Sequence, residues 1–182
     1  MDILPFDELN ALKLKLGNAE LPKSKDEQED IIDELLDLFL LSYAMGKDAT
    51  NASISSDWQP TLNEVMKTVD KEVAGKTWRE RVEDYFANGG SGDDIVRIAD
   101  TESHRIANQA AFDTAKAGGA TTKTWHCMML PTSRDTHIYL DGVTAPIDGD
   151  FYSFKGGKTK FPGQWGIAEE DVNCLCFLTY DK

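Results

Sequence analysis

The sequence predicts an α+β fold: a mainly helical N-terminal two-thirds followed by a small C-terminal α+β module with a short antiparallel sheet. Three observations predict it. Apolar residues recur at helical spacing up to about residue 117, behind starts that carry capping-box residues. That periodicity stops at Thr121, where Gly, Pro and Asp become frequent. Short aromatic and β-branched runs between turn signals then take over. The boundary falls at residue 120, with residues 1–120 as a helical docking segment and residues 121–182 as the small module.

Each element has a local reason. Residues 7–16 show a short apolar pattern (Leu9, Leu12, Leu16) before Gly17 and Pro22, and read as a separate arm. Ser24-Lys25-Asp26-Glu27 is a capping box, in which the serine oxygen takes a free helix N–H and the glutamate reaches back. Ile31, Ile32, Leu35, Leu36, Phe39, Leu40 and Tyr43 follow, with Gly46 as the expected stop. This stripe is wide, so the helix is buried on more than one side or lies at an interface. Residues 48–56 read as a polar loop. A further helix is expected from about Asp57 to Ala74, broken by Gly75. Thr77-Trp78-Arg79-Glu80 opens another, which ends at Asn88-Gly89-Gly90. The last long helix runs from Asp93 to Ala117, its acidic start suiting the positive end of the helix dipole.

In the module, residues 122–130 read as a strand ended by Pro131, and Asp141-Gly142 as a tight turn. Residues 151–154 form a short strand before Gly156-Gly157, Pro162-Gly163 marks another turn, and residues 174–180 form the closing strand. A unit of about 60 residues is marginal without a staple such as a metal or a disulfide.

Composition narrows the function classes. The chain has 182 residues, room for one domain or two small ones. Its 41% hydrophobic and 28% charged content is globular, which excludes wholesale disorder. No apolar run approaches the ~20 residues of a membrane span. The start, Met1-Asp2-Ile3-Leu4-Pro5, lacks the basic and apolar regions of a leader, so synthesis in the cytosol is expected. The net charge is −13, and the first sixty residues hold 5 basic against 13 acidic groups. An acidic chain repels phosphates, which disfavours high-affinity nucleic-acid binding. Lys155, Lys158 and Lys160 read as a solvated turn rather than a basic patch. The acidic third serves solubility or docks a basic partner.

All three cysteines lie in the module: Cys127, Cys174 and Cys176. With His137 they supply a Cys3His set for tetrahedral zinc, although the C-x2-C spacing of a zinc knuckle is absent. Sulfurs one residue apart on a strand point to opposite faces, so a metal would need the backbone to turn there. The competing reading is ordinary buried thiols. A nucleophilic cysteine beside His126 or His137 lacks a recognisable orienting group. Around Arg134-Asp135-Thr136-His137, Asp135 or Ser133 is expected to cap a short helix carrying His137 and Leu140. Asp100, Glu102 and His104 read as a solvated helix face. The P-loop, dinucleotide, H-E-x-x-H and G-x-S-x-G signatures are absent from the sequence.

Several short motifs then occur in one order. Arg97-Ile98-Ala99-Asp100-Thr101-Glu102-Ser103-His104-Arg105-Ile106-Ala107-Asn108 resembles the R-I-A-x-T-E-x-x-R-x-A-N helix of phage minor head proteins. Trp125 leads into Arg134, Asp135 and His137, then Asp141-Gly142, Asp148 and Phe151. The segment ending Asn173-Cys174-Leu175-Cys176 resembles the terminal E-x-x-x-N-C-R-C, with leucine in place of the arginine. Over roughly residues 75–180 the chain therefore resembles the Mu F-like head morphogenesis family, of the SPP1 gp7 type.

The resemblance implies a non-enzymatic minor capsid protein of the virion, made in the bacterial host cytoplasm. It implies association with the portal, packaging in few copies during procapsid assembly, and a part in DNA delivery. Portal, capsid and scaffold proteins are the implied partners. Two alternatives stand beside it. One is a metal-assisted hydrolase or toxin-like effector using His126, Cys127, Asp135 and His137. The other is a zinc-stapled protein-binding module.

Overall fold

The computed structural model describes residues 4–182; Met1-Asp2-Ile3, part of the stretch read for a leader, lies outside them. Five helices come first: α1 (Phe6–Leu16), α2 (Lys25–Ile54), α3 (Leu62–Val69), α4 (Trp78–Asn88) and α5 (Gly92–Ala117). The rest holds β1 (Thr122–His126), α6 (Asp135–Ile138), β2 (Thr144–Pro146), β3 (Phe151–Tyr152), β4 (Lys158–Thr159), α7 (Ala168–Asp171) and β5 (Phe177–Asp181). The expected α+β fold is observed. β1 lies between β2 and β5, antiparallel to both, and β3 pairs with β4 in a small hairpin. Among the described residues no helix is long and apolar enough to cross a membrane.

The capped starts appear where side chains predict them. Thr77 accepts from the Glu80 N–H while Glu80 accepts from the Thr77 N–H, opening α4. Ser91 and Asp94 form the same box at α5. At α2, Ser24 Oγ caps Glu27, but the glutamate takes the serine hydroxyl instead of the backbone N–H. A capping box at Thr61 and Glu64 sets the start of α3 at Leu62, not at Asp57. That helix ends at Val69, short of the expected Ala74.

Two larger corrections concern α1 and α2. The expected separate arm is docked. Leu9, Leu12 and Leu16 enter the main core, and Lys13 pairs with Asp100 on α5 at 3.0 Å. The expected stop at Gly46 and the expected loop over residues 48–56 are instead helix, and α2 continues to Ile54. Gly46 lies where α2 crosses α5. A Cβ there would sit 2.2 Å from the Ala107 carbonyl oxygen, so the glycine permits the close crossing instead of ending the helix.

The wide stripe of α2 is consumed within the chain. Ile31, Ile32, Leu35, Leu38, Phe39 and Tyr43 are buried against Trp78, Val82, Ile95, Ile98 and Ala99. A second core forms around Trp125, Phe151, Phe161, Trp165, Leu178 and Tyr180, completed by Ile54 from α2 and by Ala111, Phe112 and Ala115 from α5. α5 thus lines both cores and carries the module on its C-terminal half.

Candidate functional site

Two groups of polar residues are buried, and both involve α5. The first is an ionic tie. Glu102, Arg105 and Asn108 follow at intervals of three, so they share one helix face. Glu102 is fully buried and accepts from Arg81 of α4 and from Arg105 Nε at 2.6 Å. Arg105 Nη2 also donates to the carbonyls of Thr68 and Val69 at 3.0 and 3.2 Å, closing the end of α3 onto α5. Gly163, at φ +81°, presses on the same arginine, where a Cβ would lie 3.1 Å from Arg105 Cα. These residues hold elements together, and of them Arg81 also lines an open cavity with Asp84, Tyr85, Arg97 and Thr101.

His104 and Glu102 correct the solvated-face reading. Both are buried, and only Asp100 of that trio is partly open, paired with Lys13. Burial, reinforced by the charge on Lys13, lowers the His104 imidazole to about 4. Lys123 is likewise buried. Its ammonium donates to the Gly149 and Lys160 carbonyls and lies over the Phe112 and Phe151 rings. Burial lowers it to about 8.

The second group is a soft-donor cluster. His137 Nδ1 lies 3.5 Å from the sulfurs of both Cys174 and Cys176. The three ligand atoms fall within 4.8 Å of one another, and all three residues are buried. The two cysteines precede β5, so strand alternation does not apply to them. Asn173 takes a left-handed conformation at φ 55°, and the chain turns both sulfurs toward one imidazole. Asn108 Nδ2 donates to the Cys176 carbonyl at 3.1 Å, tying this segment to α5. The Asn173 N–H approaches Thr101 Oγ1 at 3.4 Å, and Arg134 donates to the Val172 carbonyl.

The histidine is fixed on all sides. Its ring stacks on Trp165 and meets Trp125 edge-on. Nε2 lies 3.0 Å from Glu170 Oε2, close but off the line of a directional hydrogen bond. Glu170 is itself buried, accepting from Thr136 Oγ1 at 2.8 Å and meeting Ser153 Oγ at 3.5 Å. Hydrogen bonding from Cys176 and from His137 draws the Cys174 thiol down, despite its burial. The same sulfur contact, with burial, pushes Cys176 up.

Cys127 is half-buried and lines the same cavity, of about 30 Å³, with His137, Cys174, Cys176 and Arg134, but its sulfur stands outside the tight group of three. Its N–H donates to Asp141 Oδ1 at 2.8 Å. His126 is engaged elsewhere, bonded to Thr179 at 2.8 Å and stacked on Phe177. Asp135 is exposed in the first turn of α6, and Arg134 is the cap residue; Ser133 instead accepts from the Leu130 N–H. The expected capping by Asp135 or Ser133 is thus corrected. The other motif residues are structural or peripheral. Arg97 pairs with Asp94, Asp148 pairs with Lys116, and Gly142 closes the turn after Asp141. Lys158 and Lys160 both pair with Asp150, so their charge is spent within the chain.

Sequence reasoning missed Glu170 as a partner of His137. The run Glu169-Glu170-Asp171 reads in the sequence only as the start of the terminal motif, and the short helix α7 that turns Glu170 inward carries too few residues for a periodic signal. Asp171, also buried there, accepts from the N–H groups of Trp165, Gly166 and Ile167, yet burial still raises its carboxyl.

Two curated proteins show similarity to the chain. It is 37% identical over 87 residues to the minor head protein GP7 of Bacillus phage SPP1, covering 45% of this chain and 28% of that protein. It is 36% identical over 85 residues to the NAD(+)–arginine ADP-ribosyltransferase EFV of Enterococcus faecalis, covering 44% of this chain and 17% of that protein. Each is therefore matched over less than a third of its own length. No family model matches the chain, and no solved structure matches it significantly.

Proposed function

We propose that this chain is a minor head protein of a tailed phage or prophage. The observation that carries the reading is the 87-residue similarity to the SPP1 minor head protein. The order of motifs from Arg97 to Cys176 supports it, because the structure gives those residues shared architectural work: Glu102, Arg105 and Asn108 join α3, α4 and the Cys176 segment to α5. As a head component the protein sits in the virion after assembly in the host cytoplasm. Other capsid proteins, the portal first among them, are its partners. It enters the procapsid in few copies, and a part in DNA delivery belongs to the same reading.

The similarity to a transferase favours a second reading, an effector enzyme. The two matched proteins have different named activities, and each is matched over a small part of its length. What this chain shares with them is a segment rather than an activity. The hydrolase alternative draws less support, because His126 is bonded to Thr179 and Asp135 faces solvent.

Quantitative mass spectrometry of purified procapsids and virions from the parent phage, or from induced prophage, tests the proposal. A few to tens of copies per head, with co-purification of the portal, is the expected result. Absence from both particles would overturn it and promote the effector reading. An Asp135→Ala variant that folds normally but loses a measured activity would do the same.

A further inference from the structure

We propose that Cys127, His137, Cys174 and Cys176 form a structural Cys3His site for a zinc-class divalent ion. The proposal is independent of the head-protein reading. Its first support is geometric. With Zn–S near 2.3 Å and Zn–N at 2.0–2.1 Å, a tetrahedral centre sets its nitrogen and sulfur ligands about 3.5–3.6 Å apart. The structure places His137 Nδ1 at 3.5 Å from each of two sulfurs. A neutral imidazole has one lone pair on that nitrogen and can accept from one thiol, whereas a metal accounts for all three atoms at once.

The surroundings provide the second support. A ligating histidine characteristically presents its other nitrogen to a carboxylate, which fixes the tautomer and raises ligand basicity. Glu170 occupies that place opposite Nε2, and Thr136 and Ser153 hold its oxygens in an otherwise apolar setting. The ring is immobilised between Trp165 and Trp125. Asn108 holds the backbone of Cys176.

Cys127 supplies the fourth ligand. Cys127 immediately follows the last pair of the β1–β5 ladder, His126 with Phe177, and Cys176 immediately precedes it, so the two cysteines flank the same end of the sheet. Cys127 lines a cavity of about 30 Å³ with the other three ligands. Thiolate and imidazole donors select a zinc-class ion over magnesium or calcium. Binding releases the three thiol protons to solvent, and the guanidinium of Arg134 on the cavity wall offsets the resulting negative charge. The ion would clamp the end of β1, α6 and the entry to β5, which are otherwise short and connected by loops.

Cobalt(II) titration of the full chain, fully reduced and stripped of metal, tests the proposal. The expected result is uptake of about one equivalent, with the intense d–d bands and sulfur-to-cobalt charge transfer of a tetrahedral thiolate site, displaced by zinc. Zinc should raise the Tm of the wild-type chain by about 10 °C relative to the chelated form. Cys174→Ser and Cys176→Ser should abolish the charge-transfer signal. Cys127→Ser should keep a weaker one and lose at least about tenfold in affinity. Absence of a cobalt spectrum from the wild-type chain with three titratable thiols would overturn the site. So would a Cys174–Cys176 disulfide in protein purified without reductant, if the reduced form takes up no metal. Unchanged affinity in Cys127→Ser would overturn the four-ligand set.

Discussion

Glu102 ties α4 to α5 at the residue scale. Two guanidiniums converge on one fully buried carboxylate, from α4 and from its own helix. Replacing both charges of such a pair by apolar groups is often tolerated, but removing one partner strands the other. Glu102→Gln keeps the shape and removes the charge, leaving Arg81 and Arg105 uncompensated. A loss of about 3 kcal/mol in unfolding free energy is expected by urea titration, with Arg81, the more exposed partner, limiting the cost. His104 makes stability depend on pH. Its folded pKa is about 4, below the ~6.5 of an unfolded histidine. The unfolded chain therefore binds the proton first as pH falls, so the stability contribution is complete above about 6.5 and is lost toward 4. Between pH 7 and pH 5 the loss should be on the order of 2 kcal/mol, and His104→Leu should flatten that part of the profile.

At the scale of elements, Gly46 decides how α2 meets α5. Alanine is the better helix former by about 1 kcal/mol, so propensity alone favours Gly46→Ala. Overpacking against a rigid neighbour costs about 1–3 kcal/mol, and here the obstruction is backbone, with Cβ at 2.2 Å from a carbonyl oxygen. A carbonyl within a helix has no rotamer to escape into, so the steric cost wins. Gly46→Ala should lower the Tm, and far-UV circular dichroism should retain its helical signal, because the damage lies in packing between helices.

At the scale of the whole molecule, the second core is shared. Trp125, Phe161 and Tyr180 pack with Ile54 of α2 and with Ala111, Phe112 and Ala115 of α5. A fragment of residues 121–182 alone would expose that apolar floor. It should show no cooperative unfolding transition, while the full chain shows one, as calorimetry of the two would measure. Charge acts at the same scale. The net charge is −13, Lys116 of α5 pairs with Asp148, and Lys158 and Lys160 of the module pair with Asp150, so little of this positive charge is left free to meet phosphates.

The capped starts at Ser24 and Thr77 and the α+β division were legible because both are local, whereas the Thr61–Glu64 box that opens α3 was overlooked. A serine or threonine followed three residues later by a carboxylate satisfies free N–H groups without reference to the rest of the chain, as at Thr77 and Ser91. The donors of the proposed metal site were already in view in the sequence, since Cys127, His137, Cys174 and Cys176 are the cysteines and histidines of the module other than His126. What the residues meet across the fold was not. Gly46 reads as a stop until α5 lies against it, and His104 reads as surface until α1 and β5 close over its helix. The turn at Asn173 aims two sulfurs at one imidazole, and Glu170 is brought behind that ring from 33 residues away in sequence. Capping and periodicity are set by neighbours along the chain. Burial, close approach and the convergence of donors are set by neighbours in space, which only the packed chain supplies.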